Sequence, residues 1–173
     1  FKFMAEKKNA LEATGEGKVV FSYEESYGYM LGDYVRDKDA VTASLLLTEM
    51  AAHYAAQGMT VLDALQALYE KHGFYGEKTH NLVMPGLDGL KDMAALMKRL
   101  REEPPRDIAG VAVVQFKDYA DGSVVDCATG EKSSMELSGS NVLRFELADG
   151  TSIIVRPSGT EPKIKVYVLT KGA

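Results

Sequence analysis

Apolar residues recur at three- and four-residue spacing through much of the first hundred positions and at every second residue through much of the remainder. Such a change of period separates helix-rich from strand-rich chain. Ala43, Leu46, Leu47, Met50, Ala51 and Tyr54 form one apolar stripe, which predicts a helix over 40–57, capped by Asp39 and stopped by Gly58. Thr60 opens a second helix with Asp63 at the capping-box position; Val61, Leu62, Leu65, Leu68 and Tyr69 make its expected buried side, and Gly73 ends it. Leu90, Met93, Ala94, Met97 and Leu100 predict a third helix, stopped by Pro104-Pro105. Upstream, residues 1–8 read as a strand end or strand-helix junction, 9–17 as a short helix and 19–23 as a strand. That strand runs abruptly into the polar loop Glu24-Glu25-Ser26-Tyr27-Gly28-Tyr29.

Beyond residue 105 the texture is that of strands. Residues 108–116 are Val-rich, and Leu143, Phe145 and Leu147 alternate. Asp149-Gly150 is a strong hairpin signal into 152–155. Ile164, Val166 and Val168 alternate in a last strand, which places Lys163, Lys165 and Tyr167 on its other face. Residues 122–140, rich in Ser, Gly and Thr, read as an irregular exposed insertion. With a break near Met84-Pro85-Gly86, the expectation is two parts. Residues 1–83 form an α/β remnant (strand, loop, helix, helix), and 84–173 form an α+β domain with one helix on a mainly antiparallel sheet of about four strands. The helices of the first part would cover a sheet mostly missing from the chain, so exposed apolar surface or association is expected there.

Composition narrows the class. With 46% hydrophobic and 26% charged residues the chain is globular in type. Its net charge of -5 speaks against a nucleic-acid binder. From Val155 onward, however, four basic residues (Arg156, Lys163, Lys165, Lys171) face one acidic residue, Glu161. A small basic island in an acidic protein suits a compact anion. Cys127 is the sole cysteine, which excludes an intrachain disulfide and favours a reducing, cytoplasmic setting. No apolar run has the roughly 18 residues of a membrane span, so no membrane partner is expected. The opening Phe1-Lys2-Phe3-Met4 reads as mid-strand, as in a piece of a longer protein.

Two polar loops carry the candidate chemistry. The segment from Arg156 to Pro162 packs a guanidinium, two hydroxyls, a glycine and two prolines between alternating strands. Arg156 offers a fork for two phosphate oxygens, and Ser158 and Thr160 add hydroxyl donors. Gly159 can take a positive φ that lets backbone N–H groups converge on one point. On composition alone the segment reads equally as an anion cradle or a surface turn. Glu24, Glu25 and Ser26 place two carboxylates and a hydroxyl together, a set suited to vicinal sugar hydroxyls and also compatible with a solvated turn. His53, His72 and His80 have no Cys or acidic partner at ligand spacing, so no metal site is expected.

Taken together the motifs resemble a known family. Arg-Pro-Ser-Gly-Thr-Glu-Pro-Lys between two strands is similar to the phosphate-binding loop of the C-terminal domain of the α-D-phosphohexomutases. Tyr-Glu-Glu-Ser-Tyr-Gly-Tyr, followed by Val35-Arg36-Asp37-Lys38-Asp39-Ala40, resembles the sugar-specificity loop and next helix start of their third domain, in the form most like bacterial phosphoglucomutases. Phe1-Lys2-Phe3 also resembles the strand before that loop. The resemblance implies that Glu24 and Ser26 bind sugar hydroxyls and that Lys38 lies near the substrate. It implies that Arg156, Ser158, Gly159 and Thr160 cradle the phosphate that is not transferred, with Lys165 a basic neighbour.

Tyr27-Gly28-Tyr29, where mannose-active members carry a histidine, favours the glucose phosphates. The family's phosphoserine and its Asp-x-Asp-x-Asp loop for Mg²⁺ match nothing in this sequence. The resemblance therefore implies a substrate-binding C-terminal part of an isomerase, with no catalytic or metal residue of its own and inert in isolation. The parent would interconvert glucose 1-phosphate and glucose 6-phosphate through glucose 1,6-bisphosphate. This part's partners would be a hexose phosphate and the other domains of its own enzyme. Phosphomannomutase, phosphopentomutase and a non-catalytic phosphosugar-binding module are the alternatives.

Overall fold

A computed structural model describes residues 1–24, 27–159 and 161–172. The chain divides into two compact units, Phe1–Leu68 and Tyr69–Ala173.

The first unit opens with helix α1 (Lys2–Thr14), so the strand end expected at the start of the chain is corrected: helix begins at Lys2, directly after Phe1. The reason is a helical period that includes a lysine. Phe1, Met4, Lys8 and Leu11 are the inward positions, and Lys8 is only 1% exposed. Its Nζ donates to the carbonyls of Gly32 (2.6 Å) and Val35 (3.3 Å), partners that make burial of an ammonium tolerable. Arg36 fastens the same loop to α1 through Asn9 and Glu12.

Strands β1 (Phe21–Tyr23) and β2 (Tyr29–Leu31) pair antiparallel around the 24–28 loop. Met30 is fully buried. Helix α2 (Ala40–Ala55) starts where expected: the Asp39 carboxylate accepts from Val41 N (3.0 Å) and Thr42 N (3.4 Å). Helix α3 (Val61–His72) has the predicted reciprocal box, Thr60 N to Asp63 Oδ2 at 2.7 Å and Asp63 N to Thr60 Oγ1 at 3.1 Å. The expected buried side of α3 is mostly exposed, Leu62 at 74% and Leu68 at 53%. Among the described residues this unit supplies only a two-stranded hairpin, too little sheet to cover both helices.

In the second unit α4 (Gly89–Glu102) lies on an eight-stranded sheet in which every pairing is antiparallel. The strands are β3 (Tyr75–Val83), β4 (Asp107–Ile108), β5 (Val111–Asp118), β6 (Ser123–Asp126), β7 (Lys132–Ser134), β8 (Leu143–Leu147), β9 (Ser152–Pro157) and β10 (Lys163–Lys171). Their order is β3-β10-β9-β8-β5-β6-β7, with β4 beside β5. The fold class stands as expected, with a larger sheet. His80 lies on the edge strand β3, which is paired to β10 along its whole length. The supposed insertion at 122–140 contains the β6–β7 hairpin, whose turn Asp126 closes by accepting from Ala128 N and Thr129 N.

The core joins Met97 of α4 to Phe116, Leu143, Phe145, Val155 and Ile164 of the sheet. Removing a side chain such as Phe145 from water stabilises by roughly 2–3 kcal/mol. Because successive side chains alternate across a strand, burying Val155 and Ile164 under α4 sends Arg156, Lys163 and Lys165 to the opposite face.

A pH dependence follows from the helix caps. The hydrogen bonds from Tyr34 and from the first turn of α2 lower the Asp39 pKa, and those from Thr60 lower that of Asp63. Their contribution is complete above the unfolded Asp value of about 3.9 and is lost as pH falls through the lower folded values. Helicity followed by circular dichroism should weaken over that acid window in the wild type. It should do so less in Asp39→Asn, which starts from a weaker α2.

Candidate functional site

The nine residues of β10 and six of β9 meet in a fixed register. Lys165 pairs with Arg156, and Ile164 with Pro157. Direct cross-strand neighbours have Cα atoms about 5 Å apart and point the same way. Two cations on different strands thus become adjacent on the face away from α4. The connecting loop closes with Ser158 N donating to Lys163 O (2.8 Å) and Lys163 N donating to Glu161 O (2.7 Å). Glu161 N donates to Ser158 Oγ (3.3 Å), so the Ser158 hydroxyl sits at the loop's rim.

Arg156, Pro157, Ser158, Gly159, Glu161, Lys163 and Lys165 line one cavity of about 290 Å³. Arg156 is exposed and makes no hydrogen bond or ion pair with a described residue, so its fork is available. Lys163 ion-pairs with Glu161, and its hydrogen bond and charge hold that carboxyl below the usual range. Gly159 is corrected in one respect: its φ lies outside the left-handed region. A Cβ there would meet no protein atom within 4 Å, so the position leaves the cavity mouth open. Thr160 lies outside the described residues.

The loop is anchored from behind. Pro162 O accepts from Met84 N (2.8 Å), and a Cβ on buried Gly89 would lie 2.1 Å from Met84 O and 3.0 Å from Pro162 Cβ. Only glycine lets the first residue of α4 sit that close.

The second candidate cluster lies in the first unit. Glu24 N donates to Gly28 O (2.9 Å), closing the loop. Lys38 Nζ bonds Asp37 Oδ1 (3.1 Å) and stands 5.4 Å from the centre of the Phe1 ring. A Cβ on Gly28 would meet both Phe1 and Lys38 at 2.8 and 3.1 Å. Glu24 and Lys38 therefore share one small patch. Tyr27, 86% exposed, holds a left-handed φ of 63°, a conformation costing about 1–2 kcal/mol. Ser26, like Glu25, lies outside the described residues.

Among the described residues no group of three or more His, Cys, Asp or Glu has metal-holding geometry. Asp37 is engaged by Lys38, and Asp39 by the helix cap. A larger groove of about 890 Å³ is lined by Pro104, Arg106, Val114, Asp126 and Cys127 among others. Burial, helped by the Asp126 charge, pushes the Cys127 thiol up, which keeps the nucleophilic thiolate scarce.

Family models match both parts of the chain. Residues 2–72 match the family model for phosphoglucomutase/phosphomannomutase alpha/beta/alpha domain III, and residues 81–171 match that for the phosphoglucomutase/phosphomannomutase C-terminal domain. The chain belongs to the phosphoglucomutase/phosphomannomutase family.

Within that family it is 37% identical over 171 residues to a phosphoglucomutase of Staphylococcus aureus (strain bovine RF122 / ET3-1), covering 99% of this chain and 30% of that protein. The phosphoglucomutase of strain N315 is 36% identical with the same coverage. The solved open form of the Paramecium exocytosis-sensitive phosphoprotein pp63/parafusin, a phosphoglucomutase, shares the fold at a TM-score of 0.51. That likeness has 20% identity and covers 93% of this chain and 26% of the other. The chain spans about 30% of the length of the curated relatives it matches.

Lys163 and Glu161 were not among the expected site residues, although the alternation in β10 already set Lys163 on the face of Lys165. Gly89→Ala should destabilise the chain by about 1–3 kcal/mol in urea unfolding. It should also weaken phosphate binding in an NMR titration, because the added methyl pushes on Met84 and Pro162. Unchanged stability and binding would show that the contact is slack.

Proposed function

We propose that this chain is the substrate-gripping C-terminal part of a phosphoglucomutase. Arg156, Ser158, Gly159, Thr160 and Lys165 hold the phosphate that is not transferred, and Glu24, Ser26 and Lys38 bind the sugar end. The observation that carries the proposal is the Arg156–Lys165 pair on one cavity, with Arg156 unpaired among the described residues. Two adjacent cations with a guanidinium fork match a phosphate dianion better than a carboxylate. The match of residues 2–72 and 81–171 to consecutive domains of one family supports assigning the two loops to one enzyme.

In this proposal the parent interconverts glucose 1-phosphate and glucose 6-phosphate by phosphotransfer through glucose 1,6-bisphosphate. A phosphoserine and a Mg²⁺ site in the other domains would supply the phosphoryl group and the neutralisation of its charge. The residues of this chain bind and orient, which lowers the barrier by fixing the reacting oxygen relative to the phosphoryl group. A cytoplasmic setting belongs to the same proposal; among the described residues no helix is long and apolar enough to cross a membrane. The relatives named above are phosphoglucomutases, which favours glucose over mannose or pentose phosphates as substrate.

Two kinetic experiments test this. The purified 173-residue chain should show no mutase activity toward glucose 1-phosphate in a coupled assay, and a measurable rate would overturn the division of labour. In the full-length parent, Arg156→Ala should lower kcat/KM by roughly 10²-fold, the scale of a lost charged bidentate contact. A loss under about threefold would remove Arg156 from the substrate site.

A further inference from the structure

The phosphate cradle contains a feature that an anion site would not be expected to keep: a carboxylate. Glu161 and Lys163 both line the cavity and are ion-paired to each other across the loop. Lys163 and Lys165 are two residues apart on β10, so both ammonium groups leave the same face as Arg156 on β9. The Glu161 side chain is 59% exposed, with water available to it, yet it reaches to the 30%-exposed lysine of the cavity. Its backbone N–H is tied to Ser158 Oγ, so the carboxylate can leave Lys163 by side-chain rotation while the loop keeps its shape.

We propose that Lys163 is a further phosphate ligand of this cradle and that the Glu161 carboxylate acts as an internal competitor, occupying Lys163 while the site is empty and weakening anion binding when it is filled. This rests on the reading of the cavity as a phosphate site. The charged groups facing Glu161 are Lys163 and Lys165 from β10, with Arg156 from β9 on the same cavity. The two lysines keep its carboxyl below the usual range, so it is ionised near neutral pH. A full negative charge at a few ångströms from a bound dianion costs binding, and the cost is screened by salt. Such a competitor makes release easier, which matters for a site that must let its product go.

The rival role for the pair is structural: Glu161 stiffens the loop and keeps Lys163 in place. The two roles predict opposite signs. The experiment is titration of the 173-residue chain with inorganic phosphate at low ionic strength, followed by amide NMR, in the wild type and in Glu161→Gln, Lys163→Gln, the double variant and Arg156→Ala. Under the proposal Glu161→Gln binds about 3- to 10-fold tighter, Lys163→Gln binds weaker by a similar factor, and the gain from Glu161→Gln shrinks in the Lys163→Gln background. Sulfate, which keeps its charge across the carboxylate range, gives a second readout. Its binding to the wild type strengthens as pH falls through the Glu161 titration, more steeply than its binding to Glu161→Gln.

If the wild type binds phosphate, Arg156→Ala abolishes binding, and Glu161→Gln leaves it unchanged or weaker, the competitor role is overturned and the cradle stands. If neither the wild type nor Glu161→Gln binds phosphate, the cradle falls and the competitor with it.

Discussion

The pairing register of β9 and β10 is the constraint on which the proposed phosphate site depends. Val155 and Ile164 are buried under α4, and that burial fixes the parity of both strands. Arg156, Lys163 and Lys165 must then face the other way, and the pairing of Lys165 with Arg156 brings two cations side by side without any contact to attract them. A slip of one residue would invert the faces and bury the charges. The hydrophobic core thus holds like charges together that electrostatics would separate. Such an arrangement is unfavourable in the empty protein and favourable once an anion arrives. The anchoring of the loop at Met84 and Gly89 serves the same end, since a cradle set in advance loses less entropy on binding.

Much of this was legible in the sequence because it rests on local chemistry. Asp39 caps α2, Thr60 and Asp63 form their box, and Asp149-Gly150 turns the β8–β9 hairpin with Gly150 at φ 84°. Each is a short-range rule that tertiary packing had no reason to override. The failures have a common cause in side chains whose environment contradicts their type. Lys8 is a lysine on the buried line of α1, so the helical period was hidden. β3 shows no alternation because it is an edge strand exposed along nearly all its length, held by backbone pairing to β10. In β6 and β7 a hairpin is made from a Ser- and Thr-rich stretch through a side-chain-closed turn. At the site, the loop's own chemistry pointed to Arg156 and the resemblance to Lys165, and only the assembled cavity brought Lys163 and Glu161 in as lining residues.

The first unit has a different balance. Its sugar-facing candidates Glu24 and Lys38 gather around Gly28 on a hairpin of only two strands, and its helices keep large apolar side chains in water, with Val41 78% exposed. Order there comes from polar fastenings: the Lys8 bonds to two carbonyls, the Arg36 bonds to α1 and the Asp39 cap. Apolar burial dominates the second unit, where Phe145 and Leu143 are essentially inaccessible. The proposed phosphate loop therefore sits on the more firmly packed of the two supports.

The most direct measurement is a map of amide shifts over the whole chain as inorganic phosphate is added. An anion cradle set by the β9–β10 register predicts that the largest shifts fall within residues 156–165 and saturate together. Shifts centred instead on the groove of Pro104, Val114 and Cys127, or none at all, would contradict it.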